Sequence, residues 1–159
     1  MIGHESDEGM PLHVLYDFEY PARDDARVIK RHPLGGAAYG QFDTFREMIA
    51  WGKTNAWGVK AHPQRCVGMF KDTGGNVCSH LDPVMESLGF EMPVATGPRC
   101  AIYLRADAAM ITSASVDNEP KRHFFRLGGT GQGPLRRILG EIVTTTSLEL
   151  EIDEWDPPL

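Results

Sequence analysis

The feature that most constrains the fold of this chain is an internal repeat with an offset of 93 residues. The tripeptide Leu-Gly-Gly at positions 34–36 recurs at positions 127–129. In the same register, without a gap, Gly40 matches Gly133, Phe42 matches Leu135, Phe45 matches Ile138 and Ile49 matches Ile142. Glycine permits a sharp turn between a strand and a helix, and the matching apolar positions have helical spacing. The repeat therefore predicts a duplicated unit of strand, turn, helix and strand.

The hydrophobic pattern in the rest of the chain predicts an α+β fold. Alternation typical of strands occurs near residues 14–20, 26–32, 65–71, 99–106, 109–116, 121–127 and 148–153. Helical spacing occurs over residues 41–52 and 134–142, with a short helix at 82–88 and Pro134 at a first helical position. We predict a flexible leader at 1–11 and a single domain at 12–159. That domain consists of two tandem, pseudo-symmetric β-α-β-β units, about 12–105 and 106–159, with antiparallel sheet and a cleft between them.

Composition excludes several classes of function. The 159 residues include 16 Lys and Arg and 22 Asp and Glu, a net charge of −6, which argues against binding to a phosphate backbone. No stretch approaches the roughly 18 apolar residues of a membrane span, and the acidic first ten residues do not resemble a signal peptide. Three cysteines are too few for a secreted disulfide framework, so we expect reduced thiols in a cytoplasmic protein.

Two short patterns carry candidate chemistry. The set His62, Cys66, Cys78 and His80 has residue types that bind zinc, but its spacing matches no familiar zinc motif, so we expect ordinary loop and core residues. The glycine-rich segment 128–133 precedes a predicted helix and could bind an anion, yet it lacks the Lys and Ser or Thr of a P-loop. Its match to the glycines at 35–36 favours a structural turn. We expect no metal and no cofactor.

The basic run 121–123, followed by two phenylalanines, could stack on nucleic acid, although a solvated strand edge suits the acidic chain better. No G-x-S-x-G motif indicates a serine hydrolase.

Several pieces of the first unit resemble one known family. They are Pro-Ala-Arg at 21–23, Val-Ile-Lys-Arg-His at 28–32, Gly36 with Tyr39, Phe42 with Trp51-Gly52, and Val-Gly-Met-Phe-Lys-Asp at 67–72. Together they resemble the gyrase-inhibitor-like (GyrI-like) ligand-binding domain, which occurs alone or as the effector module of AraC- and MerR-type regulators. The resemblance implies two β-α-β-β units that face each other across an apolar cleft.

The resemblance implies a stand-alone domain that sequesters or senses hydrophobic compounds, cationic ones included. Flat aromatic and flexible Met side chains suit such ligands. The predicted ligand-binding residues are Tyr39, Trp51, Met69, Phe90, Met92, Tyr103 and Trp155. Glu91 and Glu154 are the acids nearest to aromatic residues, and either could balance a cation. No DNA-reading segment is visible, so a regulatory role would need a partner chain, and the oligomeric state stays open.

The alternative function is hydrolysis. Some members of the family open strained, lipophilic electrophiles of the cyclopropane type with a cleft acid or tyrosine. By this resemblance Glu91 would act as general base, and Tyr39 or Tyr103 would donate the proton to the leaving atom.

Overall fold

The structure, a computed structural model, describes residues 3–5, 12–17, 25, 27–115 and 121–158. The strands within these residues are β1 (Gly3–Glu5), β2 (Leu12–Asp17), β3 (Arg27–Arg31), β4 (Tyr39–Phe42), β5 (Gln64–Lys71), β6 (Cys100–Arg105), β7 (Ala108–Ala114), β8 (Arg122–Gly129) and β9 (Glu149–Asp156). The helices are α1 (Phe45–Lys53), a π-helical segment that continues it (Thr54–Val59), α2 (Val77–Ser87) and α3 (Gln132–Thr145).

The strands form two antiparallel sheets, which confirms the predicted α+β class. The smaller sheet has the order β1-β2-β3-β4, and the larger has the order β6-β7-β8-β5-β9. In the larger sheet β8 is the central strand, and β5 lies between β8 and the edge strand β9 and pairs with both. Strands distant in sequence are therefore neighbours in this sheet.

The main core lies between one face of the larger sheet and helices α2 and α3. Along β5 buried and half-buried residues alternate, and Phe70 stacks on Phe125 of β8 with ring centroids 4.6 Å apart. The predicted stripe of α3 is buried here, and its members are Leu135, Ile138, Leu139 and Ile142. Burial of each large apolar side chain stabilises the fold by about 1.5–3 kcal/mol, so this face carries most of the apolar stabilisation.

On the opposite face of the larger sheet, the π-helical segment and the smaller sheet pack mainly on β6 and β7. Val59 of the π-helical segment packs on Ile102 and Ile111, which belong to β6 and β7. The smaller sheet joins this layer through Val28 and Phe42, which pack with Cys100. Over the described residues, this layer leaves the outer faces of β8, β5 and β9 partly open.

Helix α1 begins at a polar cap that anchors it to a distant loop. Thr44 is the N-cap, and its Oγ1 accepts a hydrogen bond from the Glu47 N–H at 3.1 Å. The buried Glu47 carboxylate accepts from the N–H groups of Asp43 at 2.9 Å and Gly97 at 3.1 Å. Burial raises the pKa of Glu47, although these backbone hydrogen bonds act against the rise.

The structure does not show the predicted tandem units. Their boundary, between residues 105 and 106, falls in the short turn between the paired strands β6 and β7. The glycines at 35 and 36 have φ of 99° and 108° in the loop before β4, whereas Gly128 and Gly129 lie within β8. Ile142 is fully buried but its predicted counterpart Ile49 is 53% exposed. Similar local spacing therefore occurs in different tertiary surroundings.

Three element boundaries also differ from the prediction. The helix expected from residue 41 begins at Phe45, because residues 39–42 pair with β3 as strand β4. Helix α2 begins earlier than predicted, behind an Asn76 cap. Pro134 is the third residue of α3 rather than the first.

Near the N-terminus, residues 3–5 of the predicted leader form β1, which pairs with β2. The predicted strand positions 18 and 20 lie outside the described residues.

Candidate functional site

An open groove of about 870 Å³ runs between the two sheets. One wall comes from the smaller sheet, α1 and the π-helical segment, and the floor is the outer face of β7, β8, β5 and β9. Its apolar and aromatic lining includes Tyr39, Phe42, Met48, Trp51, Val59, Ile111 and Phe124. Small-molecule sites are typically concave, mostly apolar and of this volume.

Trp51 is the fixed centre of the wall. Its ring meets Phe42 edge to face, with centroids 6.0 Å apart. Its indole N–H donates a hydrogen bond to the Thr112 carbonyl oxygen at 2.8 Å. Because both the ring and its N–H are held, Trp51 presents a rigid apolar surface to the groove.

The π-helical segment adds a polar group to the same wall. The buried Oδ1 atom of Asn55 has no hydrogen-bond partner within the described part of the chain. A buried acceptor without a partner is costly, and π-helical turns are common at functional sites. Asn55, a residue of the groove lining, therefore carries an acceptor that no described residue satisfies.

The floor of the groove is organised in rows across the strands. In the central row Ile111 of β7 lies opposite Arg126 of β8, which lies opposite Val67 of β5, which in turn lies opposite Glu154 of β9. Phe124, two residues from Arg126 on the same strand, is 43% exposed in the groove. The floor thus combines apolar contact area with charges at defined positions.

A β-bulge shapes the acidic side of the floor. Val67 pairs with Glu154 and the next residue, Gly68, pairs with Ile152, so Asp153 is an extra residue on β9. Both Asp153 and Glu154 line the groove. Bulges often re-aim side chains next to functional sites, and here the bulge brings two successive carboxylates to one rim.

Some charged side chains of the groove lining form ion pairs with other residues, and others do not. Arg65 forms an ion pair with Asp156 at one end of the floor. Arg126, Asp153 and Glu154 make no ion pair with any residue that the structure describes. The groove therefore holds charges of both signs that are open to a ligand.

Three residues named from the sequence line this groove, namely Tyr39, Trp51 and Glu154. Met69 lies next to it, opposite Phe124 in the neighbouring row of the floor.

Tyr103, Phe90 and Trp155 lie on the other face of the larger sheet. Alternation along β6 directs Tyr103 into the main core, where its hydroxyl donates to Asp82 at 2.7 Å. Burial raises the pKa of Tyr103. Phe90 is buried beneath the Arg105 guanidinium, 4.5 Å from its ring centroid. These three residues are therefore packing residues in the described structure, separated from the groove by the sheet.

Glu91 and Met92 are also remote from the groove. Glu91 is exposed and pairs with Leu104 through its backbone, with N–O distances of 2.7 and 2.8 Å. It borders a separate hollow of about 200 Å³. Glu91, Tyr39 and Tyr103 therefore do not converge on one site. Glu91 pairs with β6 and Tyr103 lies on β6 in the main core, whereas Tyr39 lies in the groove wall.

The zinc candidates are likewise dispersed. Cys78 Sγ lies 3.9 Å from His123 Nδ1 in the core, whereas His80 Nε2 lies 3.5 Å from Asp72. Burial raises the pKa of the Cys66 and Cys78 thiols to about 12 each. No group of three or more His, Cys, Asp or Glu residues within the described ranges could hold a metal ion.

The glycine-rich segment 128–133 is built into the fold. Gly128 and Gly129 complete β8, and Gly131 is the N-cap of α3 without a side-chain hydrogen bond. Gly128 lies against the backbone of Val59, which brings the π-helical segment close to the sheet.

Sequence reasoning missed Arg126, Phe124 and Asn55 as groove residues, although it named Phe124 as part of the aromatic pair after the basic run 121–123. A signal for the first two was present, because a strand was predicted at 121–127 and residues two apart on a strand, such as 124 and 126, share a face. His123 of the same basic run is fully buried instead. Asn55 had no signal, since a π-helical turn has no simple sequence pattern.

Comparison with known proteins does not assign a function to this site, so its geometry is the basis for the proposal below. No family model, no curated protein and no solved structure matches this chain. Within the described residues, every helix is too short or too polar to cross a membrane.

Proposed function

We propose that this chain binds small hydrophobic molecules, cationic ones included, in the groove and acts by sequestering or sensing them. The observation that carries the proposal is the groove of about 870 Å³ with the fixed Trp51 ring in its wall. The sequence resemblance to GyrI-like domains points to the same class of function. The cytoplasmic location stays a prediction.

Binding is favoured over hydrolysis by the positions of the reactive groups. The groups of the hydrolase alternative lie apart: Tyr39 is in the groove wall, Tyr103 is in the main core, and Glu91 is exposed beside β6. A general base must lie within hydrogen-bond reach of the proton that it takes. Tyr103 already donates to Asp82 and is buried. No observation in the groove specifically favours turnover.

The direct test uses Trp51 as a reporter. Of the three tryptophans, Trp57 is 72% exposed and Trp155 packs on the opposite face, so the double variant W57F/W155F leaves Trp51 as the single emitter. We expect lipophilic dyes and drugs to change its emission and to raise the melting temperature, with Kd values below about 100 μM. If no compound of a broad panel does either, the proposed function is wrong.

A matched pair of variants locates the site. Phe124 and Ile152 are similarly exposed, at 43% and 41%, but only Phe124 lines the groove. We expect F124A to weaken binding by up to about tenfold, the effect of losing part of an aromatic contact area, whereas I152A leaves binding unchanged. Equal effects of the two variants would place the ligand elsewhere.

A further inference from the structure

We infer that the preferred ligand of the groove is an amphipathic zwitterion, with an ammonium group held by Glu154 and Asp153 and a carboxylate held by Arg126. This inference rests on the proposed function and names the ligand class of the same site. The sequence predicts a preference for hydrophobic compounds, cationic ones included, and this inference adds an anionic group at the other end of the ligand.

The first argument is the spacing of the charges. In the central row of the floor, Val67 separates Arg126 from Glu154. Two strand spacings place their backbones about 10 Å apart. A molecule that lies across β5 with its apolar part on Val67 would meet a cation at one end and a carboxylate at the other.

The second argument is the contrast with the rest of the floor. Arg65 and Lys71 both belong to strand β5 and form ion pairs with Asp156 and Glu151 of the neighbouring strand β9. In the central row β5 contributes the apolar Val67, so the residue directly opposite Glu154 carries no charge, and Arg65 of the adjacent row is paired with Asp156 instead. The two charges that flank Val67 make no ion pair with a described residue, which leaves them available to a ligand.

The third argument is the environment between and above the charges. Ile111 and Phe124 lie beside Arg126 on the floor, and Trp51 forms the wall. The buried Asn55 Oδ1 has no partner among the described residues, and it can be satisfied by an amide N–H or a hydroxyl but not by an aliphatic chain. These groups suit a ligand with a bulky apolar body, an internal N–H and opposite charges at its ends, as in an apolar dipeptide.

The experiment uses four forms of one dipeptide, phenylalanyl-phenylalanine. The free dipeptide is a zwitterion, its C-terminal amide is a cation, its N-acetyl form is an anion, and the N-acetyl amide is neutral. Phenylalanine does not interfere with the emission of Trp51 in W57F/W155F. We expect the zwitterion to bind most tightly and each removed charge to weaken binding about fivefold, with the preference declining at high salt.

Charge variants then assign each end of the ligand. E154Q should reduce the preference for the free amino group, since only Asp153 then remains at that end, and should keep the preference for the carboxylate. R126Q should do the reverse. E149Q, on the same strand outside the groove lining, is the control and should leave all four affinities unchanged. All three positions are exposed, so the fold should tolerate these substitutions.

The possible outcomes are distinguishable. If the four forms bind with equal affinity, or if only one end contributes, the inference is wrong while the proposed function stands. If E149Q changes the preferences as E154Q does, the assignment to the groove is wrong. If neither the dipeptides nor the lipophilic panel alters Trp51 emission and melting temperature, both proposals are overturned.

Discussion

At the scale of single residues, His123 is the titratable group whose position has the clearest consequence. It is fully buried, with its Nδ1 atom 3.2 Å from Thr112 Oγ1 and 3.9 Å from Cys78 Sγ. Burial lowers the pKa of His123 to about 4, because the charged imidazolium is poorly solvated in the core. The unfolded chain therefore binds a proton at this residue more readily than the folded chain does.

This difference predicts a loss of stability in weak acid. The contribution of neutral His123 is complete above the unfolded pKa of about 6.5 and is lost as the pH falls towards 4. We expect the free energy of unfolding to fall by about 2 kcal/mol between pH 7.5 and pH 5, measured with urea. H123Q should remove this dependence.

Glu47, whose pKa is raised by burial, acts in the opposite direction, so E47Q is the matched control and should steepen the loss. Equal pH dependence of the wild type and H123Q would contradict the account of His123.

At the scale of elements, α1 and α2, the described helices whose N-caps use a side-chain hydrogen bond, lie on opposite faces of the larger sheet. Thr44 caps α1, which carries Trp51 of the groove wall, and Asn76 caps α2, which packs in the main core. Asn76 Oδ1 accepts from the Ser79 N–H at 3.1 Å, so the two caps use equivalent hydrogen bonds. They should contribute similarly to stability and differently to ligand binding.

We therefore expect T44A and N76A each to lower the free energy of unfolding by about 1 kcal/mol. T44A should also weaken binding of a groove ligand about threefold, because fraying of α1 loosens Met48 in the lining. N76A should leave the affinity unchanged. Urea unfolding and titration of the Trp51 reporter measure the two quantities, and equal losses of affinity would show that the effect is not specific to α1.

At the scale of the whole molecule, the groove depends on how closely the π-helical segment approaches the larger sheet. A side chain on Gly128 would overlap the backbone of Val59, so glycine is required for this contact. Gly133, near the start of α3, has open space around its Cβ position. Both glycines belong to the glycine-rich segment 128–133 of the sequence, and the tertiary structure gives them different roles.

We expect G128A to lower the free energy of unfolding by about 2 kcal/mol through overpacking and to weaken ligand binding, since the wall is pushed away from the floor. G133A should be neutral or stabilising by about 0.5 kcal/mol, because alanine favours the helix. Thermal or urea unfolding checks both variants. A G128A protein as stable as the wild type would show that the close contact is unimportant.

Local patterns in the sequence were enough to predict the α+β class, the strands β5 to β9 and the buried stripe of α3. These features follow from periodicity, which depends on neighbours a few residues apart. Strand β4 was missed because it has only four residues and adjoins the helical pattern of α1.

Only the tertiary structure decided which candidate residues meet. The row of Arg126, Val67 and Glu154 depends on the pairing of β5 with β8 and β9, strands that lie far apart in the chain. Likewise, Tyr39 and Tyr103 are both aromatic strand residues, yet the packing of the sheet puts one in the groove and the other in the core. Side-chain alternation predicts two faces for each strand, but the choice of which face meets a helix is made by long-range packing.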